Sequence, residues 1–254
     1  EHISGSEESF SDLMNQHAGN LGMSNTSYHN ASGLPAEGML STARDLSMLA
    51  KAIISGNPKY YGIYSEKYFQ HNNINQPNRN RLLWRDSSVD GLKTGYTKAA
   101  GYCLVTSAKR RDMRLISVMM GANSAEARAR QSQKLLSYGF RHFDTKKIYS
   151  SGDTLKENAK LWFGEEDFLD LTVASDIVLT FPRRSEKLLT ATIIVDEQLE
   201  APISAGQELG RLRVSLAEKI LVDVPLIAEK DIPIAGLFSR FHDWVILFFT
   251  GLIS

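Results

Sequence analysis

The stretch VDGLKTGYTKAAGYCLV, residues 89–105, decides the fold of the first half of the chain. Apolar and polar residues alternate on either side of Lys93, which predicts a β-strand, and Gly91 and Gly95 bracket that lysine. Glycine inside a strand indicates a bulge or a close backbone approach. A bare strand edge with a cation and a hydroxyl side by side can bind an anionic, extended ligand. The alternative is an ordinary edge strand that a lysine protects from aggregation.

The composition predicts two domains of opposite charge. The 254 residues are 43% hydrophobic with no net formal charge, and nothing global in them indicates nucleic acid as a partner. Residues 1–144 contain 17 Lys and Arg against 12 Asp and Glu, and residues 145–254 contain 12 against 17. This asymmetry favours two units with different roles, of which the basic one attracts anionic small substrates better. The single cysteine, Cys103, permits no intrachain disulfide, and core packing is its expected role.

Helical patterns dominate the first part of residues 1–144. One begins near Ser6 or Ser9 and stops at Gly22. A second begins at Thr42 in the segment STARDL, where a threonine and an aspartate three residues later form a capping-box pattern. An Asn-rich stretch follows and is mostly loop by composition.

A hairpin and a further helix follow the Lys93 strand. Apolar runs at 101–109 and 113–120 predict a strand pair whose outer neighbour is the Lys93 strand. Ser124 can cap the next helix, which we expect to stop at Gly139.

From residue 145 to residue 235 the sequence predicts a small all-β domain, most simply a sandwich. Short Val/Ile/Leu/Thr runs recur between turns that carry Gly, Pro, Asp and Glu. No titratable cluster stands out in these residues, so we interpret them as a spacer or interaction domain.

Residues 236–254 predict an amphipathic C-terminal helix. Its apolar face carries aromatic and aliphatic residues from Leu237 to Leu252, and Asp243 and Ser254 lie among the polar residues opposite. The charge-free run is too short to span a bilayer, so we expect a helix that lies in the membrane interface. The alternative is a helix packed on the protein's own core.

No cofactor or metal site is predicted. The six histidines show no H-x-x-x-H pair, the acidic clusters fall in predicted turns, and no glycine-rich phosphate loop occurs.

The K-T-G tripeptide at 93–95 is the third element of a set that also requires S-x-x-K and S-x-N or S-D-N. In that set a serine attacks an acyl donor and a neighbouring lysine takes or relays its proton, because a free hydroxyl is a poor nucleophile. Beyond K-T-G, the segments NRNRLLW, MRLISVMMGA, HNASGLP and STARDL, and the order of the parts, resemble one family over essentially the whole chain. That family is the low-molecular-mass penicillin-binding proteins, specifically the serine-type D-alanyl-D-alanine carboxypeptidases.

The resemblance implies an α/β (α+β) β-lactamase/transpeptidase-like catalytic domain over residues 1–144, followed by the all-β sandwich and the anchor helix. It implies a hydrolase of peptidoglycan biosynthesis that binds the stem pentapeptide and β-lactam antibiotics. It also implies a periplasmic location, peripheral on the outer face of the inner membrane, which the C-terminal helix would contact.

The resemblance also implies substrate-binding roles for four residues. Lys93 would face the active serine and the substrate carboxylate, Thr94 would donate a hydrogen bond to that carboxylate, and Gly95 would let the ligand backbone approach. Arg128 matches a family arginine near the carboxylate, with a solvated helix residue as the alternative. Arg79, in NRNRLLW, matches another family arginine near the cleft and would be mainly structural. Tyr96 stands where histidine is common after K-T-G, which argues against an ionisable group there.

The catalytic residues themselves are missing from the match. No lysine in the chain has a serine three residues before it, so S-x-x-K is absent. The one S-x-N, from Ser55 to Asn57, falls at the predicted end of the STARDL helix, where we interpret it as a C-cap. We therefore expect a carboxypeptidase that lacks its N-terminal part, with its nucleophile and base upstream of Glu1, and expect the chain by itself to be inactive.

Two other functions stay open at this point. A β-lactamase is disfavoured because its E-x-x-L-N loop is absent and a long β domain follows K-T-G. A non-catalytic wall-binding or scaffold protein would keep the cleft without its nucleophile.

Overall fold

The computed structural model describes residues 1–251, with side chains up to residue 249. The described chain divides between His142 and Phe143, two residues before the predicted division, into two compact units. The predicted positions Leu252 and Ser254 lie outside the described residues.

The first unit combines helices with antiparallel sheets, which is the α+β form of the predicted α/β (α+β) fold. Its helices are α1 (Glu7–Asn20), α2 (Ala43–Gly56), the single turns α3 (Pro58–Tyr61) and α4 (Leu82–Arg85), and α5 (Ala125–His142). Strands β1 (Tyr68–His71) and β2 (Ile74–Pro77) form a separate antiparallel hairpin. Strands β3 (Val89–Thr97), β4 (Gly101–Arg110) and β5 (Met113–Ala122) form an antiparallel sheet in chain order.

The three-stranded sheet is covered differently on its two faces. On one face α5 packs Ala129 and Leu136 against Leu104 and Ala108 of β4, and these four side chains are buried. On the other face α2 contributes only a small buried cluster around Ala50. Leu46, Leu49, Ile53 and Ile54 of α2 are therefore only half-buried.

Capping residues begin α1 and α5 as the sequence predicts, but the predicted end of α5 is corrected. Ser6 accepts a hydrogen bond from the Ser9 N–H at 3.0 Å, and the Ser124 hydroxyl accepts from the Ala127 N–H at 3.0 Å. The predicted stop at Gly139 is wrong, because α5 continues to His142. A β-carbon on Gly139 would lie 2.5 Å from the Leu115 side chain, so glycine serves close packing of α5 on β5.

The capping box at the start of α2 is only half formed. Thr42 accepts from the Asp45 N–H at 3.1 Å, as the sequence predicts. The buried Asp45 carboxylate does not return to Thr42 but accepts from the Thr26 hydroxyl at 2.7 Å and the Asn25 N–H at 2.9 Å. These hydrogen bonds lower the pKa of Asp45, and the bond from Thr26 has the largest effect. They also attach the preceding loop to the helix.

The second unit is all-β with a helix at its end. Its strands are β6 (Phe143–Tyr149), β7 (Thr154–Trp162), β8 (Phe168–Thr172), β9 (Ile177–Pro182), β10 (Leu189–Val195), β11 (Leu199–Glu200), β12 (Glu208–Leu216) and β13 (Lys219–Ala228). A six-stranded sheet has the order β10-β12-β13-β8-β7-β11, and β6 pairs with β9. Alternate residues Ile177, Leu179 and Phe181 of β9 are buried in one core with the larger sheet, as in a sandwich.

The helix α6 (Leu237–Gly251) presents most of its apolar side chains, including all of its aromatic ones, to solvent. Phe238 is 94% exposed, Phe241 66% and Trp244 56%. The predicted solvent position of Asp243 is wrong: this residue is 4% exposed, and its carboxylate accepts the Phe163 N–H at 2.7 Å. The helix is therefore held to the β domain through its polar side.

An ion-paired network supports the buried start of β3. Asp90 accepts two hydrogen bonds from the Arg114 guanidinium at 2.8 and 2.7 Å and one from the Tyr61 hydroxyl at 3.2 Å. Hydrogen bonding to Asp90 raises the pKa of Arg114, and burial raises the pKa of Tyr61. The strand is buried up to Leu92 and exposed at Lys93, so the network fixes the strand just before its accessible half.

The two glycines of the strand give a matched test of this arrangement. A β-carbon on Gly91 would lie 2.5 Å from the Tyr61 hydroxyl, whereas on Gly95 the nearest atom is the Cys103 β-carbon at 4.0 Å. We expect Gly91→Ala to destabilise the protein by roughly 1–3 kcal/mol through overpacking and Gly95→Ala to change stability by less than about 0.5 kcal/mol. Urea denaturation measures both, and equal effects of the two substitutions would contradict the packing described here.

Candidate active site

The exposed half of β3, an edge strand of the three-stranded sheet, carries the K-T-G tripeptide. Lys93 is exposed, and its ammonium group donates to the carbonyl oxygen of Thr94 at 2.6 Å. Thr94 is half-buried, and Gly95 is exposed without a positive φ. The backbone conformation therefore does not require glycine at 95, and the space beside its α-carbon stays open to a ligand.

Arg128 lies against the same strand from the first turn of α5. It is 6% exposed, and one of its terminal nitrogens (Nη1) donates to the carbonyl oxygens of Gly95 at 2.9 Å and Cys103 at 3.2 Å. Burial lowers the pKa of Arg128, but a guanidinium stays charged at neutral pH. Its burial rules out a solvated helix residue.

Arg128, Thr94 and Gly95 line one cavity of about 460 Å³, called here the arginine cavity. Its wall also includes Tyr96, whose ring centroid lies 4.2 Å from that of Tyr102, and the Arg128 guanidinium lies 5.5 Å from the Tyr102 ring. Its remaining lining residues are Pro77, Asn78, Arg79, Arg81 and Ala125.

Three arginines and no acidic residue line the arginine cavity, and the nearby Glu126 is already engaged by arginines. Glu126 accepts from Arg81 at 3.0 Å and from Arg85 at 2.8 and 2.7 Å. The hydrogen bonds from Arg85 and then Arg81 lower the pKa of Glu126 to about 2, so this acid stays ionised at neutral pH. Arg128 donates only to backbone carbonyls in the bonds above, which leaves its charge to act on the cavity.

A second, apolar cavity of about 450 Å³ adjoins the other side of the K-T-G strand. Lys93, Thr94 and Gly95 line one wall, together with Cys103. The rest is aliphatic and aromatic, from Leu46, Leu49, Ala50 and Ile53 of α2, and from Tyr64, Leu92, Leu104, Val105, Val118 and Met119.

The only S-x-N of the chain takes no part in either cavity. The Ser55 hydroxyl donates to the Lys51 carbonyl at 2.9 Å, and the Asn57 N–H caps α2 through the Ile53 carbonyl at 3.2 Å. Within residues 1–251, no cluster of His, Cys, Asp and Glu has the arrangement of a metal site.

The sequence interpretation did not single out Tyr102, Arg81 and Glu126. Tyr102 pairs directly with Tyr96 in the register of β3 and β4, so a count across the predicted hairpin could have found it. Glu126 and Arg81 are 45 residues apart in sequence, and no local pattern links them.

Comparison with known proteins gives the same family for both units. Residues 1–124 match the family D-alanyl-D-alanine carboxypeptidase, and residues 143–233 match the C-terminal domain of penicillin-binding protein 5. D-alanyl-D-alanine carboxypeptidase DacC of Escherichia coli is 42% identical over 98% of this chain, and DacF of Bacillus subtilis is 36% identical over 94%. The chain spans 62% of the length of each of these two relatives.

Solved structures agree with the sequence matches. Penicillin-binding protein 5 from Haemophilus influenzae superposes with a TM-score of 0.82 at 37% identity, covering 91% of this chain and 68% of that structure. Penicillin-binding protein 6B from Escherichia coli superposes with a TM-score of 0.66 at 33% identity, covering 89% of this chain and 62% of that one.

Proposed function

The chain belongs to the D-alanyl-D-alanine carboxypeptidase family of low-molecular-mass penicillin-binding proteins, and on that premise we propose that it supplies the substrate-binding wall of a serine D-Ala-D-Ala carboxypeptidase. The observation that carries the proposal is the arginine cavity, where Thr94, Gly95 and Arg128 meet on an open strand edge. A carboxylate is the ligand that a hydroxyl donor and a cation without an acidic partner bind best. An extended peptide can add to the edge of β3.

In the proposed reaction a serine hydroxyl attacks the carbonyl carbon of the peptide bond before the terminal D-alanine. The C–N bond breaks, D-alanine leaves with a proton on its nitrogen, and water then hydrolyses the serine ester and restores the hydroxyl. No serine of these 254 residues has the S-x-x-K lysine that activates it. We therefore assign the nucleophile and its base to residues outside this sequence. We assign binding of the substrate carboxylate to Lys93, Thr94 and Arg128.

Each of these groups has a distinct task. Lys93 is exposed at the wall shared with the apolar cavity, where its ammonium can leave the Thr94 carbonyl for a ligand carboxylate or the reacting serine. Thr94 offers a neutral donor beside it. Arg128 donates to the Gly95 carbonyl and so fixes the position of β3 beneath the bound peptide. Its positive charge attracts the terminal carboxylate of that peptide. A β-lactam carries a carboxylate as well, so the same wall would bind it.

We propose in addition that α6 attaches the protein to the outer face of the bacterial inner membrane, in the periplasm. Rings of Phe241, Trp244 and Phe248 follow one another at centroid distances of 6.3 and 5.7 Å along the exposed face. Such a band of aromatic side chains suits the level of the lipid headgroups. Among the described residues, no helix is long and apolar enough to cross a bilayer.

The proposed binding of the substrate carboxylate by Lys93 is tested by Lys93→Ala in the full-length enzyme. Loss of a charge-assisted contact costs roughly 1.5–3 kcal/mol, so the rates of penicillin acylation and of peptide hydrolysis are expected to fall about 10- to 100-fold. Lys98→Ala is the matched control, since Lys98 is an exposed lysine in the turn after the same strand and lines neither cavity. Near-normal acylation by Lys93→Ala, with unchanged circular dichroism, would refute the assignment.

The membrane proposal is tested by Phe241→Ser with Phe69→Ser as its control. Both phenylalanines are 66% exposed, but Phe69 lies on the β1–β2 hairpin of the other unit. Removing a ring that inserts into the interface is expected to weaken binding to phosphatidylethanolamine–phosphatidylglycerol vesicles roughly 10-fold, because about 1.5 kcal/mol of apolar burial is lost. Cosedimentation with the vesicles gives the measurement, and equal binding by the two variants would show that α6 is not the membrane contact.

A further inference from the structure

The outer edge of β10 is a long, neutral and unprotected strand edge. Within residues 1–251, β10 pairs only with β12, through seven successive residue pairs without a register shift, so its other edge carries unpaired backbone groups. The run from Leu188 to Val195 contains no charge, proline or glycine. Proteins usually protect such edges with charges, prolines, bulges or very short strands, because an open edge pairs with other strands.

Two other sheet edges of the described chain do show such protection. The opposite edge of the same sheet is β11, which is two residues long. The β3 edge of the three-stranded sheet carries the exposed Lys93. On β10, by contrast, Ile193 and Ile194 are 39% and 44% exposed, on opposite faces of the strand. The free edge of β10 thus combines unpaired hydrogen-bonding groups with β-branched apolar side chains.

The charges at the two ends of β10 differ in sign. Before the strand lie the exposed Arg184, Glu186 and Lys187, of which Glu186 is paired with Lys146, and after it lie the exposed Asp196 and Glu197. When two copies of the strand pair antiparallel, the basic end of each copy lies beside the acidic end of the other. Parallel pairing would place like charges together, which is unfavourable.

We propose that β10 is a self-association edge, where two copies of the chain pair antiparallel about a two-fold axis at Thr192 and extend the six-stranded sheet across both. In this register Thr190 lies opposite Ile194 of the second copy, Leu189 lies opposite Val195, and Lys187 lies near Glu197. The contact is isologous, so each favourable pair occurs twice. It does not depend on the proposed carboxypeptidase activity.

Disulfide trapping reads this register directly. Directly opposed residues of antiparallel strands have α-carbons about 4.5–5.5 Å apart, within the range that a disulfide spans. In a Cys103→Ser background of the 254-residue chain, Thr192→Cys is expected to cross-link to its own copy under mild oxidation. Thr190→Cys alone is expected not to cross-link, because its two copies would lie roughly 13 Å apart. A mixture of Thr190→Cys and Ile194→Cys is expected to form the mixed dimer.

A charge reversal completes the test. Lys187→Glu in the Thr192→Cys chain is expected to slow cross-linking roughly fivefold, and Lys187→Glu together with Glu197→Lys is expected to restore it. Circular dichroism checks that each variant is folded. The proposal is overturned if Thr192→Cys gives no dimer, if Thr190→Cys cross-links to itself as fast, or if the charge-swapped pair stays slow.

Discussion

The first unit depends on the two hydrogen bonds that the buried Arg128 guanidinium donates to neighbouring strands. The guanidinium donates to one carbonyl on β3 and one on β4, and so holds α5 against two adjacent strands at the point where the K-T-G tripeptide is exposed. Burying a charge without an acidic partner is costly. The charge of Arg128 offsets that cost by acting on a ligand in the adjoining cavity. Glu126 does not neutralise this charge, because it is paired with Arg81 and Arg85.

The first half of β3 is buried and held in place, whereas its second half is accessible to a ligand. The first residues of β3 are fixed by the Asp90–Arg114–Tyr61 network and by the close approach of Gly91 to Tyr61. The following residues are open to solvent and line two cavities of different character, one cationic and one apolar. A ligand that adds to this edge meets a backbone that is already in position, so little ordering is required on binding.

The sequence predicted the parts of the fold whose residues repeat with a clear period or carry local capping signals. The β4–β5 hairpin, the caps at Ser6 and Ser124 and most strands of the β domain are confirmed. Strands β6 and β7 lie outside the Val/Ile/Leu/Thr runs of the β domain, because lysines and Asn158, which has a positive φ, interrupt their alternation. The predictions for Gly139 and Asp243 were wrong because each residue's role depends on a contact distant in sequence. Gly139 packs closely on Leu115, and Asp243 accepts the Phe163 N–H.

The central claim is that these 254 residues hold the carboxylate-binding wall but not the nucleophile. Intact-mass spectrometry after incubation with a labelled penicillin tests it most directly, on the 254-residue chain beside the full-length enzyme. The account predicts a stoichiometric penicilloyl adduct on the full-length enzyme and none on the chain, because no serine here has a lysine one helical turn onward. An adduct on the chain, mapped by peptide digestion to a serine between Ser4 and Ser254, would contradict it.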